Sequence, residues 1–271
     1  MFTEKLSQRL IKTPVLVEAK NFLVKLAENQ EEVEDAMRLR YEVFNLEQQR
    51  GLKSAEEFCI DSDEFDHYCL HIMVMDKWSR RVLGTYRIHF GVVANSAKGF
   101  YSSREFDIRG IESISDKCME LGRSCVSPEF RTGSVISLLW KAISELLIRT
   151  NFTYMIGCVS LDETDPRIGW ALYEYFRKTC SMSGYLTAVP HPEFRFDRPP
   201  DKEIEKILAD ETSLKKYMPP LFRGYMRLGA QICGVPALDR DFGTMDFLMA
   251  ADTRNLPERY VRHFNYVRKP D

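Results

Sequence analysis

Two spacings of apolar positions alternate along the chain, and each predicts its own kind of element. Asn21–Ala27, NFLVKLA, reads as a first strand. Glu31–Gln48 carries Val33, Met37, Arg40, Tyr41 and Phe44 at helical spacing. Acids lie early in that segment and Arg38 and Arg40 late, as the helix dipole prefers. Leu70–Met75 and Val82–Phe90 are strand-like, and the turn segment Asp76–Arg81 between them predicts a hairpin. Lys117–Val126 is the next strand, followed by an apolar-faced helix over Ser134–Thr150. Tyr154–Val159 reads as a short buried strand, and Pro166–Lys178 as a helix with proline at its first position. Beyond a proline-rich stretch around Ala188–Pro200, the pattern predicts a charged helix over Lys202–Ala209 and an apolar helix over Pro219–Cys233. Thr244–Ala250 is a final strand.

That order, β-α-β-β-loop-β-α-β-α and a closing β, predicts an α+β or α/β sheet domain with helices on both faces. With no repeat or Gly/Ser linker, residues 1–271 read as a single domain. Its core spans about residues 20–190, and the proline-rich segment opens a C-terminal elaboration over about 191–271. Composition is that of a globular protein, with 44% hydrophobic and 29% charged residues. A net charge of -2 argues against general nucleic-acid binding, although a local basic patch stays open.

None of the seven cysteines forms a C-x-x-C pair, so the expectation is reduced, mostly buried thiols rather than zinc or redox motifs. The N-terminus MFTEKLSQRLIKTP lacks the apolar core of a signal peptide, and no apolar run is long enough to span a bilayer. The expected location is cytoplasmic. Peripheral contact with the inner face of the membrane stays open, through Phe2, Leu6 and Leu10 with Lys5, Arg9 and Lys12 as a short amphipathic segment. An ordinary surface helix is the other reading.

Candidate chemistry gathers at four places. The turn Pro128–Ser134 lies between a strand and an apolar helix, where free N–H groups, Gly133 and Arg131 would make an anion site. A plain strand-to-helix loop with a solvated arginine is the other reading. Arg40 and Phe44 lie on the first helix, Asp61, Asp63 and Asp66 on the loop before the second strand, and Glu120 and Arg123 on the fourth strand. Residues 120 and 123 face opposite sides unless a bulge intervenes, and a bulge beside Gly122 would free N–H groups to polarise a carbonyl. As separate pieces these are also ordinary ion pairs. The acidic loop is not an EF-hand, because Asp66 and Ile72 stand where the glycine and terminal glutamate belong. His67 and His71 complete no metal-ligand set, and no metal is expected. Cys125 has no histidine nearby in sequence and reads as core.

The strand, turn and following helix resemble the GNAT acyltransferase fold, in which that helix cradles the phosphates of an acyl carrier. Only Arg131 and Gly133 of the usual signature are present, in compressed spacing, which favours a carrier-protein donor over acetyl-CoA. Arg40, Phe44, Asp61, Asp63, Asp66, Arg87, Glu120 and Arg123 resemble the pattern of the acyl-homoserine-lactone synthases, with Asp61 where a glutamate is usual. The fuller resemblance is to the ornithine-lipid N-acyltransferases, the hemolysin-like acyltransferases. It rests on Asp63-Glu-Phe-Asp66, Gly84-Thr-Tyr-Arg87, Phe100-Tyr-Ser102 with Glu105-Phe-Asp107, and Glu120-Leu-Gly-Arg-Ser-Cys-Val126. Pro219-Pro-Leu, Gly224-Tyr-Met-Arg-Leu-Gly-Ala230 and Asp239-x-Asp241-Phe-x-Thr244 continue it in order, over roughly Arg40 to Phe264.

The resemblance implies a GNAT-like fold, with a central mixed, mostly antiparallel sheet flanked by helices. It also implies transfer of a (3-hydroxy)acyl chain from acyl carrier protein, or from acyl-CoA, to the α-amine of an amino acid, ornithine first, in aminolipid synthesis. Glu120 would take the amine's proton and Arg123 would act beside it. Arg40, Phe44, Asp61, Asp63, Asp66 and Arg87 would frame the acceptor, the arginines either binding its carboxylate or ordering the aspartates. Val126, Arg131, Gly133 and Ser134 would hold the phosphopantetheine, with Arg131, Lys141 and Arg149 as a landing patch for the acidic carrier. No other cofactor is expected. Trp140, Tyr154, Phe222 and Tyr225 read as core or as walls of an acyl tunnel. The alternatives are an acyl-homoserine-lactone synthase and a non-catalytic acyl-binding protein.

Overall fold

The computed structural model describes residues 10, 12–131, 133–179 and 181–263. Phe2 to Arg9, and with them most of the expected amphipathic segment, lie outside these, as do Thr132, Cys180 and Phe264. In chain order the first elements are β1 (Val15–Glu18), β2 (Phe22–Leu26), α1 (Gln30–Tyr41), β3 (Leu70–Asp76), β4 (Val82–Phe90) and the short α2 (Gly91–Ala94). Then come β5 (Phe106–Arg109), β6 (Cys118–Val126), α3 (Ser134–Thr150), β7 (Tyr154–Leu161), α4 (Pro166–Lys178) and β8 (Thr187–Pro190). The last are α5 (Asp201–Leu208), α6 (Glu211–Leu214), α7 (Pro220–Arg227), β9 (Gln231–Ile232), β10 (Ala237–Asp239), β11 (Thr244–Asp252) and α8 (Glu258–His263).

These elements group into two units. One holds the described residues up to Gly99, Met119–Thr153 and those from Glu258 onward; the other holds Phe100–Cys118 and Tyr154–Pro257.

In the first unit β1, β2, β3, β4 and β6 pair antiparallel in that order. Every residue of β4 is buried, so both faces of the sheet are covered. On one face Ala36, Leu39 and Val43 of the first helical segment pack with Met73, Met75, Val82 and Cys125. The other face meets α3, where Trp140 stands edge to face with Tyr86. Asn29 caps α1 by accepting from the Glu32 N–H at 3.0 Å. The long first helix predicted to Gln48 is α-helical only to Tyr41. Glu42–Glu47 winds as a π turn, with Gln48 N–H donating to Val43 O across five residues. Such a turn rotates the side chains after it, which apolar spacing does not reveal.

In the second unit β7 lies antiparallel to β11 along its whole length, and β9 and β10 also pair with β11. Phe176, Phe222 and Phe247 form its aromatic centre, with ring centroids 5.5–5.9 Å apart. The helix predicted over Pro219–Cys233 stops at Arg227. Gly229 takes a φ of 87°, Ala230 N–H donates to Tyr225 O and Gly229 N–H to Met226 O, a left-handed cap that releases the chain into β9. Strands β5 and β8 form a separate antiparallel pair that the apolar pattern had not marked.

Candidate active site

Glu120, Gly122 and Arg123 sit on β6, where the ladder with β4 slips by one residue. Thr85 pairs with Cys125 and Arg87 with Gly122, so Arg123 and Ser124 together oppose Tyr86. This is a β-bulge, and Arg123 takes the left-handed φ of 49° that usually falls to glycine. Such a backbone costs on the order of 1 kcal/mol and needs the surroundings to hold it. The Arg123 guanidinium ion-pairs with Asp61 and lies 4.6 Å from the centre of the Phe44 ring, which the π turn carries. The bulge thus lies beside Gly122, as expected, and has Arg123 as its pivot.

Asp61, Asp63 and Asp66 join Arg40, Arg87 and Arg123 in an alternating line of charge. Arg40 Nε donates to Asp61 Oδ1 at 2.9 Å, and its Nη1 and Nη2 fork onto Asp66 at 2.8 and 2.9 Å. Its Nη2 also donates to the Asp61 carbonyl. Arg87 Nη1 reaches Asp63 at 2.7 Å and Asp66 at 3.0 Å. Arg40, Asp61 and Asp66 are almost wholly buried, and Arg87 nearly so. Burial raises the Asp66 pKa, but the hydrogen bonds and charge of Arg40 and the charge of Arg87 outweigh it. They hold the carboxyl well below the ordinary range. Asp66 also accepts from Asp63 N–H at 2.8 Å, and Asp63 from Phe65 N–H at 2.8 Å, which shapes the loop between the arginines.

Of the two roles left open for Arg40 and Arg87, the geometry places both on the aspartates. They tie the loop to α1 and β4. Arg123 is the end of the line that stays partly open, with its side chain 12% exposed. Fork-shaped guanidinium groups suit this work, since Arg40 and Arg87 each bridge two carboxylates.

Glu120 faces the same side of the sheet as Arg87 and His89, since His89 pairs with it across the ladder. Its Oε2 lies 3.7 Å from His89 Nδ1, and both side chains are buried. His89 did not stand out in the sequence. The signal was available in the two-residue alternation of β4, where it follows Arg87 on the same face. His71, paired with Arg87 on β3, is held down at about 4 by burial and by the charges of Arg40 and Arg87, against the pull of Asp66. Burial pushes the Cys125 thiol up to about 12, and it packs in the α1 core cluster. A protonated, enclosed thiol is a poor nucleophile.

Arg131 forks onto Glu47 at 2.6 Å through both Nη atoms, and its Nε donates to Val126 O at 3.1 Å. The pair is exposed and ties the turn to the π segment. Gly133 stands at the head of α3 with a φ of 98° and no side-chain cap, so the first N–H groups of a 17-residue helix point outward beside Ser134. Arg149, expected on the carrier's landing patch, instead donates to the Thr13 and Val15 carbonyls at 2.6 and 2.9 Å and ties α3 to β1. A cleft of about 540 Å³ opens beside the acidic loop, lined by Met37, Phe58, Ile60, Ser62, Asp66 and His71 among others.

With this geometry in place, sequence comparison assigns the family. The L-ornithine N(alpha)-acyltransferase of Agrobacterium fabrum is 32% identical over 252 residues, covering 89% of this chain and 84% of the relative. The chain belongs to the L-ornithine N(alpha)-acyltransferase family. The protein of the same name from Brucella abortus is 30% identical over 253 residues, covering 89% of this chain and 88% of the relative. The acetyltransferase (GNAT) domain family matches residues 39–141, the stretch that runs from the end of α1 into α3. The crystal structure of the AHL synthase LasI superposes with a TM-score of 0.50 at 9% identity, covering 93% of this chain and all of that chain. At that identity it reports the fold, which is the GNAT fold implied by the resemblance. Among the described residues no helix is long and apolar enough to cross a membrane.

Proposed function

We propose that this chain moves a (3-hydroxy)acyl group from acyl carrier protein to the α-amino group of ornithine, the first step toward an ornithine lipid. The observation that carries the reading is the 32% identity to a named L-ornithine N(alpha)-acyltransferase across 84% of its length. In the reaction a C–N bond forms, the C–S bond of the thioester breaks, and the carrier leaves as a thiol. At neutral pH the acceptor amine is protonated and must lose a proton to attack. Glu120 takes that proton, with His89 Nδ1 3.7 Å from its carboxylate. Arg123, opposed to the acceptor's carboxylate, keeps its geometry because Asp61 and Phe44 fix it. Main-chain N–H groups of the bulge polarise the thioester carbonyl. The open start of α3 and Arg131, once released from Glu47, receive the phosphopantetheine of the carrier.

Mass spectrometry of lipids from a host expressing this chain tests the proposal. An N-acylated ornithine should appear with the active chain and be missing from the empty host. An acyl-homoserine lactone in the medium with no acylated ornithine, or no new acylated amine at all, would overturn it.

A further inference from the structure

The strings Glu105-Phe-Asp107 and Asp239-x-Asp241-Phe-x-Thr244 have no part in the acyl transfer described above, yet the second unit brings their acids together. In the β10–β11 hairpin Asp239 pairs with Thr244 and Ala237 with Asp246. Residues two apart share a face, so Asp239 and Asp246 project from the same side of the sheet. Phe247, on the opposite side, belongs to the aromatic centre. Glu105, just ahead of β5, completes the group. One carboxylate oxygen from each of Glu105, Asp239 and Asp246 lies within 4.8 Å of the other two.

A second observation concerns the ends of these side chains. Glu105 is 6% exposed and Asp246 5%. Glu105 Oε2 and Asp246 Oδ1 are buried and accept no hydrogen bond among the described residues. Nor is any of the three acids in an ion pair there. Asp239 has one oxygen, Oδ1, held by the N–H groups of Asp241 and Phe242 at 2.9 Å, which fixes its direction. The adjacent Arg240 does not neutralise it, because that guanidinium donates to the carbonyls of Glu193 and Arg195. Buried carboxylates aimed at one another require compensating charge.

We infer that Glu105, Asp239 and Asp246 form a binding site for a hard divalent cation of the calcium or magnesium class. The ligand set is oxygen only, which excludes a zinc or copper preference. Oxygens up to 4.8 Å apart can share one calcium, which sits about 2.4 Å from each ligand, whereas magnesium, at about 2.1 Å, requires them to close to about 4.2 Å. Asp239, half-buried where the other two are enclosed, gives the ion its way in and leaves room for water to complete the shell. The site ties the β10–β11 hairpin to the segment before β5, so its role is to hold that part of the second unit together. It does not depend on the acyl transfer proposed above.

Equilibrium dialysis of the full chain, stripped with a chelator and titrated separately with calcium and magnesium at neutral pH, tests this. One equivalent of at least one ion should bind, with a saturable rise in Tm. Asp246→Asn and the half-buried Asp239→Asn should each weaken binding about 100-fold or more. Circular dichroism verifies that each variant is folded, and the second serves if the first is not. No stoichiometric binding of either ion would overturn the site and leave the acids sharing a proton. Binding retained by a folded Asp239→Asn would equally overturn it, by placing the ion elsewhere.

Discussion

Asp61, Asp63 and Asp66 in the first unit meet three arginines at hydrogen-bond distance, whereas Glu105, Asp239 and Asp246 in the second form no ion pair among the described residues. Each set holds two enclosed acids and one half-buried, the first on a single loop and the second on three separate stretches of chain. In the first, compensation is built into the chain, and six side chains become one rigid charge-balanced frame for the bulge at Arg123. In the second, burial followed by the mutual repulsion of the acids pushes Glu105 well above the ordinary range, and burial and then Asp239 push Asp246 up to about 6 against hydrogen bonds to Ser160, Glu105 and Thr244. Compensation there must come from a proton or an ion. Buried charge therefore has a different meaning in each unit: fixed geometry in one, a place for something to bind in the other.

The largest expected effect breaks the first frame. Asp61→Asn leaves Arg40 and Arg123 short of a buried partner and should cost about 3–5 kcal/mol in a urea unfolding curve. Asp246→Asn, in chelator-treated protein at neutral pH, should change stability in the opposite direction. Equal losses from both substitutions would erase the distinction between the two sets.

A pH series sharpens the contrast because the signs differ. His71 has a folded pKa of about 4 against an ordinary 6.5, so the unfolded chain holds the proton more readily. Stability from this group is full above 6.5 and is lost as pH falls toward 4, by about 3 kcal/mol. Asp66, held low by its arginines, adds a loss in the same direction at still lower pH. Asp246 runs the other way: raised from 3.8 to about 6, it favours folding at acid pH and loses that contribution as pH climbs through about 6. In ion-free protein His71→Gln should flatten the acid limb of the stability profile and Asp246→Asn the limb approaching neutrality. Limbs unmoved by either substitution would contradict the assignment.

The smallest effect concerns the surface pair of Arg131 and Glu47. With side chains 42% and 36% exposed, it should contribute no more than about 1 kcal/mol. Arg131→Ala should leave Tm nearly unchanged and raise KM for the carrier substrate, measured with a carrier-borne acyl thioester. An unchanged KM would remove Arg131 from the donor site.

Much of the first unit was legible in the sequence because its signals are local. Helix α3 keeps the predicted ends Ser134 and Thr150, bounded by Gly133 and Asn151 in left-handed conformations, and in the second unit α4 likewise begins where Pro166 predicts. The bulge was signalled by Gly122. What escaped is set by pairing at a distance. The π turn that carries Phe44 leaves no periodic trace, and Gly229 ends α7 although apolar residues continue past it. His89 matters because of its partner across the ladder. The sequence holds Arg40, Arg87 and the three aspartates in plain view, but only the loop's path decides that these two guanidinium groups meet carboxylates within the chain. Glu105 is far in sequence from Asp239 and Asp246, and hairpin register is what brings the last two to one face.

The most direct test of the account is the rate of carrier thiol release from a 3-hydroxyacyl-carrier thioester with ornithine, compared between the natural chain and Glu120→Gln. The substitution keeps the shape of the side chain and removes its ability to take a proton. The account predicts ornithine-dependent release by the natural chain and a rate lower by about 10²–10⁴-fold in a folded Glu120→Gln. Release that is equally fast in both would contradict it.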